Sequence, residues 1–366
     1  MVNTKLLVIN LLVFLSVLSC NVLGPKDPFD GKIQTYNISM LDEDYCDLMK
    51  SSFLKTWFPV VVNSGKHSYD AGIQISGNVS RTFKKKSFEI KYYTNDGREY
   101  RMILRGEFDD PSLCRYGLAD YVLRKAGLFC SDLKLVWVFI NNDGHGLYLD
   151  TEPINGDFLA KRGKKMSSLY EVAFRGRFTT KTGATVEQNY KKKLPENDLS
   201  YTDLEILIDI IDQGITSENK ARLEQWLDIK NFLNYYAVCK LLGHGDGYVN
   251  NYSLYFDPDI RKFQIIPWDL TNTFITIADT LPVYENGLFE QFEKVPEYRN
   301  YLYGKIRDIF NLQEMLTVLD SIYGETEKYI KKDPYVRAYN LDPDFTIGQV
   351  RQYLFNMDKV LNSTIH

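Results

Sequence analysis

The chain has 366 residues, of which 44% are hydrophobic and 25% are charged. This globular composition is enough for one large domain or for two lobes that share a cleft. The formal net charge of −4 argues against a protein whose main partner is nucleic acid.

The N-terminus carries a predicted secretory signal over residues 1–19. Lys5 gives a positive start, and the apolar run from Leu6 to Leu18 is too short to span a bilayer. The run ends in Val-Leu-Ser-Cys, which resembles the cleavage box of bacterial lipoproteins; simple secretion with cleavage nearby is the alternative. Cys20 is therefore the predicted lipidation site and membrane anchor, and residues 20–32 are predicted to form a polar tether.

Cysteine and histidine usage gives no sign of a zinc site. Four cysteines remain besides Cys20, enough for at most two disulfides. Cys46, Cys114 and Cys239 lie in helix-like apolar surroundings, where a buried free thiol is the favoured interpretation. The chain has four histidines, no ligand-spaced pair and no Cys-x-x-Cys.

The first half of the chain is predicted to be rich in strands. Helical spacing is confined to residues 42–53 and 110–125, with a short helical turn at 158–162, and residues 175–195 are predicted to be a basic loop or insertion. Runs of alternating or β-branched residues predict strands at 33–41, 57–63, 72–75, 88–92, 100–105, 133–140, 146–151 and 168–174.

A glycine loop between two of these strands has two interpretations. It contains Gly77 and Arg81 and leads to Lys84, Lys85 and Lys86. Backbone amides and a nearby cation suit the phosphates of a nucleotide. The loop by itself favours the plainer interpretation, a hairpin followed by a solvated lysine run.

The second half is predicted to be mostly helical, so the chain as a whole is predicted to be α+β with two lobes. Two strands interrupt the helical pattern between residues 251 and 268. Apolar residues at three and four spacing predict helices at 199–215, 218–227, 228–242, 297–310, 312–331 and 345–361.

The most informative stretch is residues 240–274. Asp246 comes two residues after His244, Asn251 follows five residues later, and Asp269 comes at the end of the second predicted strand. Protein kinases place a catalytic aspartate, an asparagine, a hairpin and a second aspartate in this order. One carboxylate orients the acceptor hydroxyl, while the amide oxygen and the other carboxylate hold magnesium on the phosphates.

Each of these residues also has a structural interpretation. Asp-Gly, Asn-Asn and Asp-Pro pairs are common turn formers, and His244 is predicted to brace the loop. Asn250 is the neighbouring alternative to Asn251, which the five-residue spacing favours. Asp269 follows an apolar strand end, where a carboxylate is costly to bury without a cation or donors.

Four segments, in this order, resemble the CotH kinases, a secreted and atypical kinase family related to spore-coat protein H. The resemblance covers nearly all of the mature chain, and the last segment is the most specific. The segments are residues 75–91 with Gly-Asn-x-Ser and a lysine run, 108–127 with Asp-Pro-Ser, 146–152 with Gly-x-Tyr-x-x-x-Glu, and 244–269 with Asp-Gly-Tyr-x-x-Asn and Pro-Trp-Asp.

The resemblance implies an atypical protein-kinase-like fold over residues 33–366. It implies a strand-rich N-lobe at about 33–175, a helix-rich C-lobe at about 196–366 and an active site in the cleft. ATP with Mg²⁺ or Mn²⁺ would be the cofactors, and Ser or Thr hydroxyls of secreted or surface proteins would be the substrates.

The resemblance also assigns roles to individual residues. Asp246 would be the base, and Asn251 and Asp269 would hold the metal. The residues implied at the nucleotide are Lys86 on the phosphates with Lys91 as the competing choice, Arg81 near the phosphates, and Glu152 paired with the phosphate-binding lysine.

Two departures from the family pattern bear on activity. Ser76 stands where the family often has arginine, and Thr271 stands where it often has a second aspartate after the Trp-Asp pair. The loss of that aspartate is expected to weaken binding of a second metal ion and to affect turnover more than fold.

The alternatives to a kinase come from other functional classes of protein. One is a catalytically weak surface or coat protein that uses the fold for binding or adhesion. Another is a polysaccharide hydrolase with Asp246 and Asp269 as acid and base. The basic runs at 161–165 and 191–193 are predicted to be solvated charge, with docking of an acidic protein substrate as the less favoured interpretation.

Overall fold

The computed structural model of the protein describes residues 33–50, 55–94, 97–173, 175–275, 280–282 and 285–364. The predicted signal segment, Cys20 and the tether lie outside these residues. None of the helices within the described ranges is long and apolar enough to cross a membrane. The chain folds into two compact units.

Of the described residues, the first unit comprises those up to Gly106, Lys134–Asp150 and Asp333–Tyr335. Its strands form a closed barrel in the order β1-β2-β3-β4-β5-β7-β6, in which β1 runs parallel to β6. The strands are β1 (Gln34–Ser39), β2 (Phe58–Ser64), β3 (His67–Ile75), β4 (Phe88–Tyr93), β5 (Glu99–Arg105), β6 (Leu133–Ile140) and β7 (Asp143–Thr151).

Alternate side chains of these strands fill the barrel. Ile73 and Ile75 of β3 and Phe88 and Ile90 of β4 are fully buried in one cluster, because every second side chain of a strand points to the same face. Helix α1 (Asp42–Lys50) adds Leu48 to this cluster. The alternation that predicts the strands is therefore also what fills the barrel.

The second unit comprises Glu107–Leu133, Thr151–Lys332 and Val336–His366. Its sheet has the order β11-β10-β8-β9, from β8 (Leu169–Val172), β9 (Tyr190–Leu194), β10 (Tyr252–Asp257) and β11 (Lys262–Pro267). Helices along the rest of the chain are α2 (Cys114–Lys125), α3 (Gly156–Lys161), α4 (Val186–Asn189), α5 (Thr202–Asp212), α6 (Lys220–Trp226), α7 (Ile229–Leu242), α8 (Phe289–Phe292), α9 (Pro296–Ile309), α10 (Leu312–Ile330), α11 (Pro334–Ala338), which begins within the first unit, and α12 (Pro343–Thr364).

A strand-rich unit and a mostly helical unit give the α+β class that the sequence predicts. The division of the chain differs from the predicted lobes, however. The first unit stops at Gly106 and takes up residues 134–150 again, whereas the predicted N-lobe continues to about 175. Helix α2 and strand β8 consequently belong to the second unit.

Helix α2 begins later than the sequence predicts. The expected start is Asp110, but the helix starts at Cys114, after Leu113 in the left-handed conformation at φ 57°. The buried carboxylate of Asp110 accepts hydrogen bonds from the backbone N–H of Arg115 at 2.9 Å and from the hydroxyl of Ser112 at 2.6 Å. The Asp-Pro-Ser segment therefore precedes the helix and caps it.

The predicted loop at 175–195 contains regular structure, α4 and β9. Strand β9 pairs with β8, and its end residues Tyr190 and Leu194 are buried. The three lysines between them conceal the strand in the sequence, because such a run suggests solvated charge. Two of them form ion pairs within the unit, Lys192 with Asp198 at 2.6 Å and Lys193 with Glu171 at 2.8 Å. The prediction of a plain loop is wrong here.

All four cysteines of the described residues are free. Cys114 and Cys239 are buried, as predicted, and so is Cys130. Cys46 is exposed, which corrects the prediction of a buried thiol: α1 buries Leu48 and leaves Cys46 on its solvent side.

Candidate functional site

The stretch with kinase-like spacing starts where α7 ends. Gly243 takes the left-handed conformation at φ 61° and closes the helix. After His244, a single 3-10 turn, Gly245–Tyr248, carries Asp246. A Cβ atom at Gly247 would lie 2.4 Å from the Cδ2 atom of His244. The tight turn therefore requires glycine at this position.

The backbone carbonyl of Asp246 organises the residues that follow it. It accepts hydrogen bonds from the N–H groups of Val249 at 3.2 Å, Asn250 at 2.7 Å and Asn251 at 3.0 Å. The five-residue spacing between Asp246 and Asn251 is thus the length of one closed turn.

Strands β10 and β11 return the chain to Asn251. Tyr252 lies opposite Pro267 in the hairpin, and the N–H of Trp268 donates to the carbonyl of Asn251 at 3.1 Å. The side-chain Nδ2 of Asn251 donates in turn to the carbonyl of Asp269 at 3.0 Å. Asp269 has φ 53°, a left-handed conformation that non-glycine residues adopt rarely.

The two neighbouring asparagines have different partners. The side-chain oxygen of Asn250 accepts a hydrogen bond from the N–H of Arg175 at 3.2 Å. Asn251 is anchored through its nitrogen, which leaves its side-chain oxygen as the atom that can meet a cation. The geometry agrees with the choice that the five-residue spacing favours.

The carboxylate of Asp246 is oriented by a residue that the sequence analysis does not single out. Nδ2 of Asn272 donates to Oδ2 of Asp246 at 2.8 Å. The other carboxylate oxygen accepts no hydrogen bond from the described residues. Asn272 has no local sequence signal, because a loop asparagine is common and its partner lies 26 positions earlier.

His244 is buried beside both carboxylates, with 1% of its surface exposed. Burial lowers the pKa of His244, while Asp269, the Asn272 backbone and Asp246 act in the opposite direction. A buried ring whose charged form is disfavoured fits the bracing role predicted from the sequence.

The hydroxyl of Thr271 lies at the predicted metal-binding aspartate. It donates to Oδ1 of Asp269 at 2.8 Å and lies 3.3 Å from Oε1 of Glu107. Glu107 is buried, and the sequence analysis does not single it out because 164 positions separate it from Thr271.

The residues of this site fit a hard divalent cation. Carboxylate and amide oxygens are the ligands that Mg²⁺ prefers, together with substrate phosphates. Within the described ranges, no group of three or more His, Cys, Asp or Glu side chains is placed to hold a metal. A cation at Asn251 and Asp269 would therefore depend on phosphate oxygens for much of its shell.

The first unit holds the predicted phosphate contacts in one loop. Nζ of Lys86 donates to the carbonyl of Arg81 at 2.5 Å, and Nε of Arg81 donates to the carbonyl of Gly77. Burial lowers the pKa of Lys86, and the charge of Lys84 adds to the effect. Arg81 and Lys86 thus lie together, and their contact with a nucleotide stays a prediction.

The structure separates Lys86 from its competitors. Nζ of Lys85 is buried and donates to Asp333 at 2.7 Å and to the carbonyl of Leu147 at 2.5 Å. Lys91 lies on the opposite face of β4 from the barrel core, with its Nζ 4.3 Å from the centre of the Trp57 ring. Lys91 is therefore a poor choice for the phosphate contact.

Glu152 has several partners within the second unit. Its carboxylate pairs with Arg162 at 2.8 Å, lies 3.5 Å from Lys161 and accepts a hydrogen bond from the N–H of Asp132 at 3.1 Å. Its pairing with the phosphate-binding lysine stays a prediction; within the second unit its partner is Arg162, ten positions later.

Comparison with known proteins gives one family and one curated relative. The model of the family described as CotH kinase protein matches residues 73–359, more than half of the chain. Inner spore coat protein H of Bacillus subtilis (strain 168) is 23% identical over 356 residues, which cover 88% of this chain and 97% of that protein.

Two solved structures are similar at a lower level. The Helicobacter pylori proinflammatory kinase CtkA has a TM-score of 0.38 and 12% identity and covers 75% of this chain and 90% of its own. The open conformation of CtTel1 has a TM-score of 0.34 and 12% identity, covering 83% of this chain and 12% of that chain. Likenesses at this level carry no argument about fold or activity.

Proposed function

The chain belongs to the CotH kinase protein family, and on that premise we propose that it transfers the γ-phosphate of ATP to Ser or Thr hydroxyls of surface or coat proteins. The observation that carries the proposal is the hydrogen bond from Nδ2 of Asn251 to the carbonyl of Asp269. It joins the two proposed metal ligands, which lie 18 positions apart, at the turn that presents Asp246.

Asp246 orients the acceptor hydroxyl and accepts its proton. One of its carboxylate oxygens is fixed by Asn272 at 2.8 Å, so the other can face the substrate. A base held in one orientation contributes through positioning, which dominates phosphoryl transfer.

Asn251 and Asp269 would hold Mg²⁺ or Mn²⁺ through oxygen atoms. When bound, this cation neutralises the charge of the nucleotide phosphates. Arg81 and Lys86 are the proposed phosphate contacts of the chain itself, since both lie in one glycine-containing loop.

The proposed location is a spore coat or a cell surface. It is supported by a relative that is named for the inner spore coat. The predicted secretory signal and lipidation at Cys20 belong to the same proposal.

Transfer of labelled γ-phosphate from ATP tests the function. The chain from Asn21 onward is incubated with Mg²⁺ or Mn²⁺, with and without casein or a basic protein as acceptor. Asp246→Ala and Asp269→Ala should each abolish incorporation, whereas Asp259→Ala, an exposed aspartate in the β10–β11 turn, should not. Equal incorporation in all four proteins would reject the assignment of the site.

The competing function is that of a coat protein that binds without efficient catalysis. Thr271, in place of the aspartate often found in the family, is the observation that favours it. A thermal shift with Mg-ATP but no incorporation would support nucleotide binding without transfer. The absence of both would support a binding protein that does not use nucleotide.

A further inference from the structure

The turn that carries Asp246 is held by two buried side chains that are not part of it. The carbonyl of Gly247 accepts a hydrogen bond from the hydroxyl of Tyr235 at 2.7 Å, and the carbonyl of Tyr248 accepts one from Nδ2 of Asn286 at 2.5 Å. Tyr235 lies on α7, and Asn286 lies shortly before α8. Both side chains belong to residues that are 1% exposed, so water does not compete for these carbonyls.

The hydroxyl of Tyr235 contacts both functional parts of the site. Its oxygen lies 2.7 Å from the carbonyl oxygen of Gly247, the residue after the proposed base, and 3.3 Å from that of Asn251, a proposed metal ligand. Burial raises the pKa of Tyr235 well above its ordinary value, so the hydroxyl keeps its proton. One proton can be donated fully to one acceptor, and the shorter distance identifies the Gly247 carbonyl as that acceptor.

Asn286 uses both ends of its side-chain amide. Its nitrogen donates to the carbonyl of Tyr248. Its oxygen accepts hydrogen bonds from the N–H groups of Leu288 at 3.0 Å and Phe289 at 3.1 Å. The oxygen therefore satisfies backbone donors at the start of α8, while the nitrogen ties this start to the turn that carries Asp246.

We infer that Tyr235 and Asn286 are positioning residues for the proposed phosphoryl transfer, which hold the backbone of the turn so that the Asp246 carboxylate faces the acceptor hydroxyl. The inference rests on the proposed function, since it concerns the same base. Asn272 fixes the carboxylate itself, whereas Tyr235 and Asn286 fix the backbone that carries it. Misplacement of a reacting group by about 1 Å can cost on the order of 100-fold in rate.

Three substitutions separate a positioning role from a purely structural one. Tyr235→Phe removes only the hydroxyl. Asn286→Asp keeps the oxygen that caps α8 and removes the donor to the turn. Tyr236→Phe is the matched control, because Tyr236 is the next residue of α7, is also 1% exposed, and donates its hydroxyl to Glu293 instead of to the turn.

The kinetic readout is kcat for labelled phosphate transfer at saturating ATP, with the Kd of Mg-ADP measured beside it. Tyr235→Phe and Asn286→Asp should each lower kcat by about tenfold or more, with the Kd within about twofold of wild type, since neither residue is a proposed nucleotide contact. Tyr236→Phe should keep the wild-type kcat, although the loss of its buried hydrogen bond should lower the urea midpoint as Tyr235→Phe does.

Hydrogen exchange provides a second readout that does not need turnover. The N–H groups of Val249, Asn250 and Asn251 donate to the Asp246 carbonyl, so their exchange rates report whether the turn stays closed. Exchange at these positions should be faster in Tyr235→Phe and Asn286→Asp than in wild type. It should be unchanged in Tyr236→Phe.

The outcomes separate this inference from the proposed function. Wild-type kcat in Tyr235→Phe or in Asn286→Asp would remove that residue from the assignment and leave the kinase proposal standing. An equal loss of kcat in Tyr236→Phe would also overturn the inference, because lost stability would then explain the effect. Tyr235→Phe decides the test alone if Asn286→Asp does not fold. No transfer by the wild-type chain with either metal would overturn the proposed function and the inference together.

Discussion

Asn250 and Asn251 show how two identical side chains acquire different roles. Both follow the same turn around the Asp246 carbonyl. Asn250 directs its oxygen to the N–H of Arg175, and Asn251 directs its nitrogen to the carbonyl of Asp269. Only Asn251 therefore keeps its oxygen for a cation next to the second aspartate.

Single substitutions should distinguish the roles of Asn250 and Asn251 in phosphoryl transfer. Asn251→Ala should lower phosphoryl transfer by at least about 100-fold, since it removes a metal-binding oxygen and the anchor of Asp269. Asn250→Ala should retain transfer to within a few fold. The measurement is initial rate with labelled ATP, and equal losses in the two variants would contradict the assignment.

Single substitutions should likewise distinguish Lys86 from Lys91 in ATP binding. Lys86→Met should weaken ATP binding by about tenfold or more, because it removes a charge-assisted contact with phosphate. Lys91→Met is the control and should bind ATP as the wild type does, since Lys91 packs on Trp57. Calorimetric titration with Mg-ATP would show the difference; the reverse order of effects would restore Lys91 as the phosphate lysine.

At the scale of elements, the sequence predicts most of the strands and long helices correctly. Strand β6 matches its predicted range, 133–140, because all of its residues except the exposed Lys134 are apolar. Strand β9 is missed, since its three consecutive lysines suggest a solvated loop. Helix α11 is also missed, because its five residues are too few to show a period.

The backbone of β7 at Gly146 packs directly against Asp333, which is distant in the sequence. Gly146 has φ 89°, and a Cβ atom there would lie 2.2 Å from the carboxylate of Asp333. Asp333 is held in this place by Lys85 at 2.7 Å and by the N–H of Leu147 at 2.8 Å. The carboxylate has little room to move, because these partners are buried.

Gly146→Ala should lower the free energy of unfolding by about 2–4 kcal/mol, from backbone strain and overpacking together. Gly144→Ala in the same strand is the control: its Cβ would meet only Phe139, at an ordinary 3.7 Å. Urea unfolding followed by circular dichroism measures both. Similar midpoints for the two variants would show that Asp333 can move away from the added methyl group.

At the scale of the whole chain, most charges of the basic runs at 161–165 and 191–193 are paired within the second unit. Docking of an acidic substrate to these runs stays the less favoured prediction. The ion pairs of the two runs are Lys161–Asp132, Arg162–Glu152, Lys164–Asp257, Lys165–Asp259, Lys192–Asp198 and Lys193–Glu171.

The side-chain contacts that the sequence could not predict share one physical property, which is long separation along the chain. Asp246, Asn251 and Asp269 form a local motif, and their spacing is sufficient to find them. Glu107 and Thr271 meet across 164 positions, and Lys85 and Asp333 meet across 248. Single-sequence patterns are set by helix and strand periods and carry no information at such distances.

The stability of the first unit should depend on pH through His145. His145 is 4% exposed, and burial lowers its pKa from the ordinary 6.5 to about 4, with Lys85 acting in the same direction and Asp143 and Asp333 opposing. His145 is therefore protonated below about pH 6.5 in the unfolded chain but only below about pH 4 in the folded chain. The stability from the neutral ring is fully present above pH 6.5 and is lost as the pH falls toward 4.

The expected loss from this residue is about 3 kcal/mol between these pH values. His145→Gln removes the titrating group, so its free energy of unfolding should fall less steeply over the same interval, although lost packing against Tyr45 lowers it at neutral pH. His67→Gln, at an exposed histidine of the same unit, should keep the wild-type slope.

Urea unfolding at several pH values tests this. Fluorescence with Trp226 and Trp268 replaced by phenylalanine restricts the signal to Trp57 and Trp137, which lie in the first unit. Parallel curves for wild type and His145→Gln would show that another group controls acid unfolding.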